Sequence, residues 1–138
     1  MTKLLELAGA LGITSVLGIA AITSMSPAPG RADDVRARAS LHAAVVTALG
    51  TAIDGSTNSE LALDEVMSAA EPGLGWTTTD STDGNVISVA ARQGSVGLAT
   101  RSLSGSCFVA RVGPDGSVVF DELIEAHSCS GRSVLTAA

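Results

Sequence analysis

The sequence predicts an α+β fold, in which a long N-terminal helix, apolar in its first half and amphipathic in its second, lies on a small antiparallel sheet of about four strands. Three observations predict it. Leu7 to Gly30 form 24 consecutive positions without a charged side chain. The stretch after them repeats its apolar residues at helical spacing. From Asn85 onward the pattern changes to short apolar runs broken by Gly, Ser, Asn and Asp. Strands grouped after helices indicate α+β.

The elements follow in order. A helix needs about 20 predominantly apolar residues to cross a bilayer, and Leu7–Gly30 is long enough. A domain this small has no interior that could surround such a helix on every side. The chain therefore divides into residues 1–30, a membrane or filament-core helix, and residues 31–138, one small α+β domain. Pro27, Pro29 and Gly30 break the helical run, and Asp33 and Asp34 suit a helix start by their charge. Ala37, Leu41, Ala44, Val45, Ala48, Leu49 and Ala52 then form one stripe, ended by Asp54-Gly55. Thr57 and Glu60 make a capping box before a short helix over about Ser59–Ala70, with Leu63, Val66, Met67 and Ala70 as its buried face. Glu71-Pro72-Gly73 stops that helix, and Trp76 is placed to cover one end of the core. Residues 77–84 read as a polar loop. Residues 85–91, 96–102, 107–112 and 117–120 read as four strands, and their short connections favour an antiparallel meander. The tail from Asp121 has no clear pattern.

Composition narrows the function classes. The formal net charge is −6, which argues against nucleic acid as a partner, because phosphate binding needs clustered Lys and Arg. Export is expected either way, since a retained anchor and a cleaved secretory signal with Lys3 as its basic start both fit the first 30 residues. Arg31, Arg36 and Arg38 would by a simple Lys/Arg count lie inside. The two cysteines favour an extracytoplasmic C-terminal part. An oxidising compartment would pair Cys107 with Cys129 across about 22 residues, worth roughly 3 kcal/mol in the entropic model. Two free buried thiols or a metal pair are the rival readings, although two Cys without a Cys/His quartet make a poor zinc site.

The stretches AEPGLGW (70–76), NVISVAA (85–91) and TRSLSGSCFVARV (100–112) are similar to a pattern of actinobacterial pilin-like proteins. There a serine-x-serine-glycine-x-cysteine turn leads into a sheet strand, and Ser102, Ser104, Gly105 and Cys107 match it. With the element order above, the chain resembles type IV pilins and the pseudopilins of type II secretion systems. That resemblance implies a helix over residues 4–53, a sheet over 85–120 and a C-terminal Cys107–Cys129 staple. It implies a structural subunit held in the cytoplasmic membrane, with its domain outside, until it joins copies of itself or other pilin-like subunits through the apolar helix in a cell-surface filament. No Gly-ended basic leader precedes the apolar segment. The rival reading is a signal-anchored or secreted envelope binding domain that works alone.

Glu6 is the candidate assembly residue. In the family, an acidic residue near this position neutralises the N-terminal amine of an adjoining subunit. An acidic group in the hydrocarbon core costs about 2.5–3.5 kcal/mol at mid-depth, less near the interface. An interfacial Glu6 paired with Lys3 at i, i+3 is the alternative. Gly9, Gly12 and Gly18 permit close helix approach but form no GxxxG. An enzyme is not expected. The two histidines, His42 and His127, are accompanied by no G-x-S-x-G, H-E-x-x-H or phosphate-binding Gly loop. A Cys129–His127 nucleophile pair would need a free thiol, and a metal site from Asp121, Glu125 and His127 is a remote option. No metal or other cofactor is expected.

Overall fold

The computed structural model describes residues 29–53, 63–124 and 126–136. Helix α1 runs Pro29–Ile53 and α2 runs Leu63–Ala70. Strands β1 (Gly75–Thr77), β2 (Val86–Arg92), β3 (Ser95–Arg101), β4 (Cys107–Val112) and β5 (Val118–Leu123) follow, and α3 (Gly131–Thr136) closes the chain. The sheet order is β1-β2-β3-β4-β5. β2 to β5 form the expected antiparallel meander.

Helix α1 carries the stripe its spacing predicts. Ala37, Leu41, Ala44, Val45 and Ala48 are buried against one face of the sheet. Most of the stripe is Ala, so the helix axis can approach the strands closely. The facing strand residues are Ile87, Val89 and Ala91, then Val96 and Leu98, then Phe108, Ala110 and Val112. This is the core, and only Phe108 in its fully buried set is aromatic. Alternate residues along each strand point to the same face. β3 is buried at every position except its last because both faces of the sheet are covered.

Several expectations need correction. Pro29 and Gly30, expected to break the helix, open the described part of α1, and Asp33 and Asp34 fall in its second turn, so no acidic residue lies in the first. Pro suits a first helical turn because its missing N–H has no intrahelical acceptor there. α2 buries Leu63 and Met67, but Ala70 is exposed. The strands number five among the described residues. Gly75–Thr77 pairs parallel to β2, with Gly75 beside Val86 and Thr77 beside Ser88. Three residues are too few to show a period of two. Trp76 is half-buried against the core, as expected, and its indole Nε1–H donates to the Glu71 carbonyl at 3.0 Å. β5 runs to Leu123, three residues past the expected end. The helix break near Pro27, the Thr57–Glu60 capping box, the apolar first half of the long helix and Glu6 lie outside the described residues.

The largest departure is the tail, which has no legible period yet forms α3 and covers the second face of the sheet. Ser130 caps the helix, its Oγ accepting from Ser133 N–H at 3.2 Å. Gly131 N–H donates to the Ser88 Oγ at 2.9 Å, and Ser81 N–H donates to the Cys129 carbonyl at 2.8 Å. The Cys107–Cys129 disulfide fastens the same segment to the start of β4 across a Cα–Cα distance of 5.6 Å. Cys107, Cys129, Ala99 and Val109 make a second small buried cluster there.

Candidate functional site

The sheet has two poles. At one, called the base, β2 and β4 start and β3 and β5 end. At the other, the tip, lie the Gln93-Gly94 and Pro114–Gly116 turns. Gln93 and Gly94 both have positive φ, at 52° and 78°, the backbone that a tight two-residue hairpin requires. α1 begins at the base, where a Cβ added to Gly30 would lie 3.6 Å from the Ser104 Cβ.

The serine turn singled out in the sequence ties helix to sheet. Ser102 and Ser104 hydroxyls both donate to Asp34 Oδ1, at 2.6 and 2.5 Å. The turn closes on itself, with Gly105 N–H donating to the Ser102 carbonyl and Ser102 N–H to the Ser106 carbonyl. Gly105 has φ 96°, which a side chain would disfavour. The hydroxyls hold the Asp34 carboxyl below the usual carboxylate range, with Arg38 a lesser contributor. A carboxylate whose folded pKa is depressed contributes stability above its unfolded pKa, near 3.9, and loses it as pH falls through the lower folded value. Asp34→Ala is therefore expected to lower stability at neutral pH by about 1 kcal/mol, the scale of one net hydrogen bond. The difference from the parent should shrink as pH falls through the acid range. Urea midpoints across that range check it; a difference independent of pH would remove the ionised carboxylate from the account.

Beside this tie, α1 meets the β5 margin of the sheet through Arg38 and His42. Arg38 Nη2 lies 3.2 Å from Glu122 Oε2, and its guanidinium sits 4.9 Å from the Phe108 ring centre. The His42 ring centre lies 4.6 Å from that of Phe120. The ion pair is exposed, so it contributes little stability. His42 is thus an exposed flank residue, as its position beside the stripe predicts.

On the opposite face, a groove of about 510 Å³ runs between α3 and β5. Val109, Val119, Leu123 and Val134 line it, with Arg111 and Asp121 as its charges. β5 is one of the two edge strands and is exposed over most of its length.

Of the site residues the sequence suggests, Cys107 and Cys129 are joined in the disulfide. The Cys129 sulfur is therefore not a free nucleophile for His127, which is exposed. Glu125, one of the three residues of the remote metal option, lies outside the described residues. Among the described residues no group of three His, Cys, Asp or Glu could hold a metal ion. No described helix is long and apolar enough to cross a membrane. Sequence reasoning missed Asp34 as a partner of the serine turn. The two are 68 residues apart, and the only signal was an acidic residue on the helix face next to the buried stripe.

The fold and these surfaces define a class: a disulfide-stapled α+β domain whose meander is covered by a long helix on one face and by its own tail on the other. No protein-family model, curated protein or solved structure matches the chain.

Proposed function

We propose that the chain is a pilin-like structural subunit, a pilin or pseudopilin, held in the cytoplasmic membrane by its apolar N-terminal segment. The same segment joins it to copies of itself or to other pilin-like subunits in a cell-surface filament. The observation that supports this reading best is the placement of α1. It begins at one pole of the sheet and runs along the antiparallel strands, and its first two residues are the last of a 24-residue stretch without charge. A segment with that composition cannot face water and needs lipid or other helices around it. The C-terminal staple and the helix-on-meander layout agree with the pilin resemblance. No catalytic role and no cofactor enter this reading.

The groove between α3 and β5 favours a second reading, a signal-anchored or secreted envelope binding domain without filament assembly. Apolar concave surfaces with a few charges suit ligand or peptide binding. Glu6 separates the two. In the filament reading it pairs with a neighbour's N-terminal amine, an attraction that is strongest at low dielectric. Glu6→Ala should leave membrane insertion intact, because the segment becomes more apolar, yet reduce subunit incorporation into filaments. Glu6→Lys should reduce it further by setting like charges together. Subunit content of sheared surface filaments, compared with the membrane pool, is the measurement. Unchanged filament content in both variants would favour the binding-domain reading.

A further inference from the structure

Of the seven large apolar side chains that face solvent among the described residues, four lie at the base, and Val46, Val119 and Phe120 lie elsewhere. Val35, Leu103 and Ile124 are 66%, 75% and 78% exposed, and Leu123 beside Ile124 is 41% exposed. Their placement follows from contacts already described. Leu103 lies between the two serines whose hydroxyls hold Asp34, the residue before Val35. Val35 precedes Arg38 and His42 by three and seven positions, so it shares their helix flank toward β5. Leu123 pairs with Cys107 at the start of β4, and Ile124 follows it. Folding has not buried these side chains, and none belongs to the groove beside α3 except Leu123.

The charge at this pole differs from that of the whole chain. Arg31, Arg36, Arg38 and Arg101 are four of the eight basic residues. Asp33, Asp34, Asp80, Asp83 and Glu122 lie beside them, a formal −1 from four Arg against five carboxylates, whereas the chain as a whole carries −6. Three of the five carboxylates are engaged: Asp34 by the serine hydroxyls, Glu122 by Arg38, and Asp80 by the Ser128 hydroxyl and the Cys129 N–H. The base presents Arg beside aliphatic side chains. That combination suits the boundary between anionic headgroups and acyl chains.

The remaining observation is where the chain enters. The charge-free stretch ends at Gly30, and Gly30 sits at the base beside Ser104. A bilayer that holds this stretch lies against the same pole. We propose that the base of the domain is a lipid-docking surface, on which Val35, Leu103 and Ile124 insert at the membrane interface while the flanking arginines meet headgroups. The domain then stands on the membrane with its tip turns pointing away. The proposal rests on the membrane-held reading above and adds the surface and orientation of the contact.

The test uses the full chain, isotope-labelled, in lipid nanodiscs of mixed zwitterionic and anionic lipids, a fraction of which carry a nitroxide on the headgroup. Amide signals of Val35, Leu103, Ser104 and Ile124 are expected to lose intensity relative to nanodiscs without nitroxide. Those of Gly94 and Gly116 at the tip should keep theirs. The double substitution Leu103→Ser with Ile124→Ser changes two exposed side chains, so the fold persists, and it should restore intensity at Val35. Incorporation into the disc without selective loss at the base, or loss at the tip turns, overturns the docking surface and leaves the membrane reading standing. A chain that does not incorporate overturns both.

Discussion

Removing the Cys107–Cys129 disulfide, by reduction or by Cys107→Ala with Cys129→Ala, is expected to destabilise the domain by about 3 kcal/mol, the entropic value for closing a loop of this length. The melting temperature should fall by roughly 12–24 °C, at about 4–8 °C per kcal/mol for a domain of this size. The bond does more than shorten the unfolded chain. Cys129 is fully buried and its carbonyl accepts from Ser81, while Asp80 receives the Cys129 N–H at 3.3 Å. Releasing it should loosen the tail first, so amide exchange ought to rise in α3 and around Ser128–Gly131 before it rises in β3. Calorimetry of oxidised and reduced protein, followed by hydrogen exchange, checks both statements. An unchanged melting temperature would mean that the tail is held by its hydrogen bonds alone.

Gly97→Ala is expected to be the most damaging single methyl group in the sheet. A Cβ at Gly97 would lie 2.1 Å from the Gly131 carbonyl oxygen and 3.0 Å from Leu135 Cγ. The obstacle is backbone, so rotating a side chain cannot relieve it. A Cβ at Gly131 would meet the Gly97 oxygen at 2.3 Å in the reverse direction. α3 must therefore lift off β3, which uncovers Ala99 and Leu135 and strands the Gly131–Ser88 hydrogen bond. Overpacking typically costs about 1–3 kcal/mol, and a backbone collision should reach the upper end. Gly105→Ala is the informative comparison, because no atom lies near that Cβ and only its positive φ resists the change. Chemical denaturation of the two variants should rank Gly97→Ala as the less stable. A Gly97→Ala midpoint equal to the parent's would show that α3 yields without cost.

The helix stripe, the four-stranded meander and the cysteine pairing were all legible because each leaves a local mark. Ala37, Leu41, Ala44, Val45 and Ala48 repeat at helical spacing, and every one is buried. The apolar runs ending near Arg92, Arg101 and Val112 are separated by short Gly-containing turns, and those turns impose antiparallel neighbours. The cysteines are two, so one intramolecular pairing exists. The elements that escaped notice leave no such mark. β1 is three residues long and parallel to a neighbour reached through a polar loop. α3 has six residues, too short for helical periodicity to stand out against a Gly- and Ser-rich tail.

Sequence alone therefore determined the fold class, the face that α1 buries and the charge-free segment ahead of it. Those properties are written in residue spacing, which neighbours along the chain enforce. Tertiary structure decided what covers the second face of the sheet, which partner Asp34 takes, and that the exposed Val35, Leu103 and Ile124 lie at one pole of the sheet. Each of these depends on residues far apart in the chain meeting at one place: Gly97 with Gly131, Asp34 with Ser102 and Ser104, Cys107 with Leu123. No periodicity encodes such meetings, because they are selected by the closeness of approach and the hydrogen bonds that the assembled sheet makes available.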